Sequence, residues 1–323
     1  MNKKLIAIAV ASVMAAPVAM ADVKISGRVG LDFTTLDTDG VANDVRDVTD
    51  NAATRIQFDG TVGNAYARIA RDMRGGGEAA RDQYYGYKLD NGMTVQLGRM
   101  ATAGKNAEKD PYITSFLETR GTVANSATAN KYSSNSFVDN LVQLSMKAGD
   151  AKIKIQYDPT EYSGIGAANA NSGHIAVGVS GKAGGVNYHV SYNNGAADQD
   201  NTAASYNSQS NIKVGANMKF GMAKVALMYT SMDKGGATAA NNATDSILVT
   251  ADMDLGNGLS ANVGLATRSG DVAADDAEFM RLAVMKKLNE GTSVYAGYTS
   301  TDYDAASANA DTSELGVGMI VKF

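Results

Sequence analysis

Apolar and polar residues alternate one by one in stretches that recur along most of this chain. The last stretch shows the pattern clearly. Leu315, Val317, Met319, Val321 and Phe323 share one parity, and the positions between them are mixed, small or charged. Residues of one parity lie on one face of an extended strand, whereas a helix would distribute them around its surface. The pattern therefore predicts a strand with one apolar face that runs to the final residue.

Similar stretches of about nine or ten residues predict further strands along the chain. The clearest lie at 23–33, 152–157, 212–220 and 246–254. In each, residues such as Val, Ile, Met and Ala share one face, and residues such as Lys, Ser, Asn and Gly share the other, with Leu248 as an exception. Such alternation is typical of antiparallel sheets whose two faces meet different surroundings.

Two kinds of connection alternate between these stretches. Tight ones contain Gly, Asn or Asp, which tolerate the positive φ of short hairpin turns, and they lie at 60–63, 90–92, 149–150, 184–185, 221, 256–258 and 289–291. Longer ones are rich in Ala, Asn, Asp, Ser and Gly, and they include 36–53, 160–172, 195–209, 233–244 and 302–311. Seven tight turns and two termini predict eight hairpins, which means about 16 strands in up-and-down order.

One interval between tight turns is much longer than the others. It runs from Gly92 to Gly149 and contains a single connection, at 101–136, that exceeds what a hairpin needs. Loops of this length inside a compact protein are usually functional. We therefore expect the segment 101–136 to carry part of the function.

The N-terminus has the features of an export signal. Lys3 and Lys4 precede an apolar stretch at 5–16, and Ala19-Met20-Ala21 has the small-x-small pattern of a cleavage site. We expect residues 1–21 to be removed and residues 22–323 to form the mature domain. The apolar stretch is shorter than the roughly 18 residues that a membrane helix needs, as is every later run. We therefore expect an exported protein without a membrane helix.

Composition and charge exclude several classes of protein. The chain has no cysteine, so it lacks the disulfide framework of small secreted domains. Apolar residues make up 44%, which disfavours disorder. Without Lys3 and Lys4, 27 basic residues remain against 34 acidic ones, a balance of −7. This balance disfavours a nucleic-acid partner, because such proteins present a basic surface.

A sheet of about 16 strands with one apolar and one polar face cannot bury both faces in its own core, so each face needs its own surroundings. Lipid outside and water inside satisfy both, and closure pairs the backbone groups that hydrocarbon would leave unsatisfied. Short turns on one side and long loops on the other are typical of outer-membrane barrels. The sequence thus predicts an all-β, 16-stranded antiparallel transmembrane β-barrel, closed by pairing of the last strand with 23–34. Because such a barrel leaves an aqueous channel, the long third loop is predicted to fold inward and narrow it.

The chain resembles the trimeric general-diffusion porins of Gram-negative outer membranes. The residues that carry the resemblance are the stretches 25–30 (ISGRVG), 54–60 (TRIQFDG) and 97–99 (LGR), and the terminal Phe323. The resemblance implies a multi-pass outer-membrane channel for passive diffusion of small hydrophilic solutes and ions. It also implies a homotrimer in contact with outer-membrane lipid and lipopolysaccharide, and recognition of Phe323 by the barrel-assembly machinery. We expect no catalysed reaction and no cofactor.

The resemblance further implies a constriction where basic residues on the barrel wall face acidic residues on the inward loop. Carried over to this chain, its members are Arg28, Arg55, Arg68, Arg81, Asp110 and Glu118. Arg68 is preferred to Arg71 because its neighbours Ala67 and Ile69 then face lipid. A further wall arginine of the family would fall near Asn140, so this member is missing. Together with the negative net charge, its absence predicts weak cation selectivity.

Other interpretations have less support from the residues. A substrate-specific porin would need an aromatic track or an arginine ladder, and a plugged barrel acting as an adhesin or receptor would need an extra folded segment. The stretch 37–40 (DTDG) begins like a calcium loop, but Val48 occupies the position of the required glutamate. His174 and His189 are interpreted as interior polar residues, so neither a metal site nor a hydrolase triad is expected.

Overall fold

The computed structural model describes residues 22–41, 44–49, 54–73, 79–105, 115–118, 137–159, 175–195, 209–233, 243–271, 276–305 and 309–323. In chain order, the strands are β1 (Asp22–Thr38), β2 (Val45–Thr49), β3 (Arg55–Val62), β4 (Ala65–Asp72), β5 (Ala79–Lys88), β6 (Thr94–Ala101), β7 (Phe137–Ala148), β8 (Ala151–Tyr157), β9 (Ile175–Ala183), β10 (Val186–Gly195), β11 (Gln209–Phe220), β12 (Ala223–Asp233), β13 (Thr244–Gly256), β14 (Leu259–Gly270), β15 (Ala277–Lys287), β16 (Thr292–Tyr303) and β17 (Thr312–Lys322). None of the described residues belongs to a helix long and apolar enough to cross a membrane.

The strands form one closed antiparallel sheet in which chain neighbours are sheet neighbours. The last strand closes it, because β17 pairs with β1 from Arg28↔Lys322 to Thr38↔Thr312. On its other edge, β1 pairs with β3 through Asp22–Arg28 and with β2 through Asp32–Leu36. Strands β2 and β3 are therefore two parts of one crossing. With that crossing counted once, the predicted barrel of 16 strands is confirmed.

The two faces of the barrel wall differ in chemistry. In β11, Ile212, Val214 and Met218 are exposed on one face, and Asn211 and Lys213 are buried on the other. The same contrast recurs around the sheet, where outward positions carry large exposed apolar side chains. Contact with water would be unfavourable for so much contiguous apolar surface, at about 25 cal/mol per Å². The outer face is therefore a lipid-facing surface, and the opposite parity faces the interior.

Tight turns join the strands at one end of the barrel. They lie at 63–64, 90–92, 149–150, 184–185, 221–222, 257–258 and 289–291, close to the predicted positions. Gly149 and Gly221 have φ of 58° and 59°, in the left-handed region that side chains with a Cβ disfavour. The glycines thus allow short hairpins, and the up-and-down strand order places these hairpins at the same mouth of the barrel.

The interior face is polar for the most part but includes apolar clusters, one of which lies on β12 to β15. Met228, Leu248, Ala266 and Phe279 are buried together on four neighbouring strands, directly opposite one another in register. Leu248, the exception in the sequence pattern, is therefore an interior residue. Alternation identified the face but not the chemistry of every residue on it.

Two described pieces of the long third loop contact the interior wall. In the first, the Ala103 N–H donates to Gln156 Oε1 over 2.8 Å. In the second, the Phe116 N–H donates to Asp32 Oδ2 over 2.9 Å. The acceptors lie on β8 and β1, and both are buried on the interior face. The remaining loop residues, 106–114 and 119–136, and the signal segment 1–21 lie outside the described residues, so the predicted constriction loop and cleavage stay predictions.

The C-terminus is joined to the first strand. The Gly27 N–H donates to the Phe323 carbonyl over 2.8 Å, and the Phe323 N–H donates to the Gly27 carbonyl over 3.1 Å. The phenyl ring lies where a side chain at position 27 would be, so only glycine fits there. The last residue is thus part of the ladder rather than a free end.

Candidate pore constriction

The four predicted wall arginines lie on neighbouring strands and share the interior face. Arg28 on β1 is directly opposite Arg55 on β3, and Arg55 is directly opposite Asp72 on β4. Arg68 lies further along β4, and Arg81 reaches Asp72 from β5. We call these four residues the arginine wall. Strand order brings them together, because the chain winds through β1 to β5 without a crossover.

Carboxylates of the wall itself lie between the arginines. Arg68 Nε donates to Asp59 Oδ1 over 2.7 Å, and Arg81 donates from one terminal nitrogen to both oxygens of Asp72, over 3.1 and 2.9 Å. The predicted acidic partners, Asp110 and Glu118, lie only on the loop and do not include Asp59 and Asp72. Their parity was the available signal, since each shares a strand face with a predicted arginine. At least two of the four arginine charges are therefore offset by carboxylates of the wall itself.

Aromatic rings support two of these arginines. The guanidinium carbon of Arg68 lies 5.9 Å from the ring centre of Tyr84, and that of Arg81 lies 4.7 Å from the ring centre of Phe137. Cations over aromatic faces are stabilised by the ring quadrupole. The rings and carboxylates together restrict how the two side chains project into the channel.

The register separates Arg68 from Arg71. Arg68 lies opposite Asp59 on the interior face, whereas Arg71 lies opposite Ile56 on the outer face. Asn140, near the place of the missing family arginine, is exposed and has φ of 58° at an irregular part of β7. Next to it, Asp139 accepts a hydrogen bond from Arg99 over 2.8 Å.

Of the two predicted loop carboxylates, Glu118 belongs to the part of the chain that the structure describes. Asp110 lies outside the described residues. Glu118 is half-buried and closes a turn in which its N–H donates to the Ser115 carbonyl over 3.0 Å. The role of both in the constriction stays a prediction, as do the roles of the arginines.

The piece of loop that carries Glu118 is held by three interior side chains, which we call the loop anchor: Asp32, Tyr295 and Arg281. Asp32 accepts hydrogen bonds from the Phe116 N–H and from the Tyr295 hydroxyl. Arg281 donates to the Leu117 carbonyl over 2.7 Å. Asp32 and Arg281 are both 0% exposed. A buried charge needs such partners, because burial without them is strongly unfavourable.

Arg281 is held by two partners, and the sequence around it gives no sign of this role. Its Nε donates to Asn262 Oδ1 over 2.7 Å, so both described hydrogen bonds fix the guanidinium in one position. The neighbours of the same parity, Phe279 and Ala283, are apolar, and so the alternation there gave no indication of an interior face. Leu117 packs on Ala283 beside it.

Metal binding finds no support among the described residues. No three His, Asp or Glu side chains in that part of the chain gather closely enough to hold an ion. His189 is buried on the interior face of β10, opposite Gly215. His174 lies outside the described residues.

Comparisons with known proteins agree on one family. A family model described as Gram-negative porin matches residues 7–306. The search of curated proteins found no match. Among solved structures, an anion-selective porin from Comamonas acidovorans is similar at a TM-score of 0.76 and 18% identity, over 94% of this chain and 100% of that chain. OmpF of Salmonella typhi, in complex with daunomycin, is similar at a TM-score of 0.71 and 15% identity, over 93% of this chain and 97% of that chain.

A third similar structure is the trimer form of in-vitro folded OmpT, an outer-membrane protein of Vibrio cholerae. Its TM-score is 0.66 at 15% identity, over 94% of this chain and 99% of that chain. At these identities, the likeness to solved structures shows the barrel fold, whereas the family model shows the family.

Proposed function

Since this chain belongs to the Gram-negative porin family, we propose that its barrel lets small hydrophilic solutes and ions diffuse passively across the outer membrane. The observation that carries the proposal is the two-faced wall. Large apolar side chains are exposed outside, and charged and amide side chains share the inside. A wet interior within hydrocarbon is the arrangement that this contrast requires. Transport follows the solute gradient, so no catalysed step and no cofactor are needed.

The constriction forms where the third loop, 101–136, approaches the arginine wall. Two described pieces of this loop bond to interior residues on β8 and on β1, which supports an inward course. Asp110 and Glu118 would then face the arginines across the channel. A transverse field of this kind orders water and disfavours apolar solutes, whereas small polar ones reorient with it.

The sign of ion selectivity depends on interior charge rather than on total charge. The predicted cation preference rests on the missing arginine near Asn140 and on the balance of −7, which includes loops and outer positions. Inside, Asp59 and Asp72 offset part of the arginine wall. Further interior cations lie on other strands, namely Lys154, Lys213, Arg268 and Arg281. Interior carboxylates such as Asp32, Asp252 and Glu314 offset part of this charge as well. The cations of the interior wall favour a weak anion preference, and the similar porin from Comamonas acidovorans is anion-selective.

Assembly into a homotrimer is part of the proposal. Small outward residues near the termini, such as Gly60, Ala65 and Ala67, would let neighbouring barrels approach closely. OmpT of Vibrio cholerae has been solved in a trimer form. Outer-membrane lipid and lipopolysaccharide would surround the trimer, and Phe323 would be read by the barrel-assembly machinery. Cross-linking in detergent, followed by gel electrophoresis with and without heating, tests the oligomeric state.

Reconstitution into a planar bilayer tests the channel. We expect stepwise ohmic conductance, with steps in groups of three for a trimer. A folded barrel that does not conduct would contradict the proposal and favour a plugged receptor or adhesin. Reversal potentials in a salt gradient then test the constriction. Arg55→Gln should shift the preference towards cations and Glu118→Gln towards anions, and an unchanged preference in both variants would remove these residues from the constriction.

A further inference from the structure

Five lysines lie beside the tight turns of three successive hairpins, and we call them the lysine arc: Lys147, Lys152, Lys182, Lys219 and Lys224. Each is the second strand residue counted from its turn. All five are exposed. They therefore share one height, at the short-turn mouth of the barrel.

The arc belongs to the interior face. Lys152 has the parity of Gln156, which is buried inside, and the opposite parity to Ile155, which is exposed to lipid. Lys219 likewise has the parity of Lys213, which is buried inside. The side chains thus line one part of the opening through which solutes would pass, rather than lying against the lipid headgroups.

Like charges meet directly within this arc. Lys147 is the register partner of Lys152, and Lys219 is the register partner of Lys224. Such pairs destabilise a sheet. Across the described ranges, none of the five lysines lies within 4 Å of a carboxylate. The nearest acidic positions by sequence and register are Asp150 in the turn and Asp252 opposite Lys224. Folding alone gives no reason for this arrangement.

The exposed interior cations of these strands lie at the short-turn end, whereas Lys154 and Lys213 further along are half-buried and buried. At their loop ends, the interior positions of β8, β10 and β11 are Gln156, Asn193 and Asn211, which are uncharged. Elsewhere around the short-turn mouth, Lys24 and Lys322 continue the cationic lining on the interior parity. The channel is therefore electrostatically asymmetric along its axis.

We infer that the lysine arc collects small anions, such as inorganic phosphate and short carboxylates, at the short-turn mouth and makes the conductance asymmetric. This inference rests on the proposed channel function and adds a site and a direction to it. Short turns of outer-membrane barrels face the periplasm, so the anions are gathered from that side. Rings of Lys suit anion pores, and a lysine attracts a hydrated anion as a point charge without fixing it in one geometry.

The voltage sign that gives the larger current follows from the movement of the two ions. A negative voltage on the short-turn side drives anions from the arc into the less selective remainder of the channel, where salt accumulates and current rises. The opposite voltage depletes salt there, and current falls. The effect needs dilute salt, because the screening length is about 30 Å at about 0.01 M and about 3 Å at about 1 M.

The test compares current at equal voltages of opposite sign in planar bilayers with dilute potassium phosphate. The unaltered protein should rectify, which means that it should pass a larger current at one voltage sign than at the other. The triple variant Lys152→Gln, Lys219→Gln, Lys224→Gln should lose this rectification. Replacement of the same three lysines by arginine should retain it. The matched control is Lys286→Gln, since Lys286 is also near a tight turn but has the outer parity and donates to the Asn257 carbonyl. This control should rectify normally.

A single cysteine gives a second, independent readout, because the chain has none of its own. Lys152→Cys should rectify less, and a cationic thiol reagent should restore the effect. An anionic reagent should reduce it further. Each reagent should act fastest from the chamber that faces the short turns, which fixes the orientation of the inserted barrel.

The experiments distinguish failure of the proposed channel function from failure of the inference about the lysine arc. A folded, unaltered barrel that does not conduct overturns the channel function and this inference with it. A conducting barrel whose current ratio is the same in the triple glutamine variant and in Lys286→Gln overturns the inference alone.

Discussion

The arginine wall and the loop anchor use the same chemistry in opposite surroundings. In the wall, the side chains of Arg68 and Asp59 are 35% and 28% exposed. In the anchor, Arg281 and Asp32 are fully buried. Water screens the first pair, so its bond contributes little to folding, whereas a buried charge that loses its partners is costly. Exposure, rather than hydrogen-bond length, distinguishes the arginine wall, for which we propose a role in ion selectivity, from the anchor, which holds a piece of the loop.

Substitution of Arg281 should have the largest effect on stability. Arg281→Gln removes donors to Leu117 and Asn262 in a dry site, and we expect the free energy of unfolding to fall by about 3 kcal/mol. Urea titration followed by circular dichroism measures it. Single-channel current should become noisier, because the loop piece 115–118 loses a wall contact. Arg281→Lys keeps the charge but not the two-directional donors, so an intermediate loss is expected.

Asp32 gives the next largest effect. In Asp32→Asn, only one side-chain oxygen remains to accept from the Phe116 N–H and the Tyr295 hydroxyl. We expect a loss of about 1–3 kcal/mol, measured by thermal unfolding. Tyr295→Phe removes one of the two donors alone. If the effects of the two substitutions simply add in the double variant, the two side chains do not act as one anchor.

Substitution of Asp72 should affect both stability and ion selectivity, with a loss of stability between those of the anchor and of Arg68. The Arg81–Asp72 pair is only 15% and 7% exposed, although it belongs to the arginine wall. Asp72→Asn should therefore cost about 1–2 kcal/mol and also move the reversal potential towards anions, because a carboxylate is lost from the interior. A change in selectivity without any loss of stability would show that water reaches this pair.

Arg68 should show the smallest effect on folding. Arg68→Gln is expected to change the free energy of unfolding by less than about 1 kcal/mol, as is usual for partly exposed ion pairs. Its reversal potential should still shift towards cations, since one interior positive charge is removed. A loss of stability as large as that of Arg281→Gln would contradict the contrast between the two regions.

Much of the barrel could be predicted from alternation, and little of the anchor could. The exposed face of β17 and the glycine turns follow from local rules, so their positions were readable in the sequence. The interruption between β2 and β3 was not, because the polar stretch 36–53 resembles a loop throughout. The bond from Arg281 to Leu117 joins residues far apart in sequence. No local pattern reports such a contact.

The arginine wall falls between these cases. Parity identified the interior face of Arg55 and Arg68 because their apolar neighbours point outward. It did not reveal that Asp59 and Asp72 would be their partners, since pairing depends on the register of β3 with β4. Register is a property of two strands, and a single strand carries only half of that information.

The bond between Gly27 and Phe323 sets the order of biogenesis. Gly27 lies in the first described strand and Phe323 follows the last one, so the cylinder cannot close until β17 has paired with β1. Until then, the unpaired margins of the sheet are open to association with other chains. Even a short C-terminal tag would be placed at the seam where the cylinder joins.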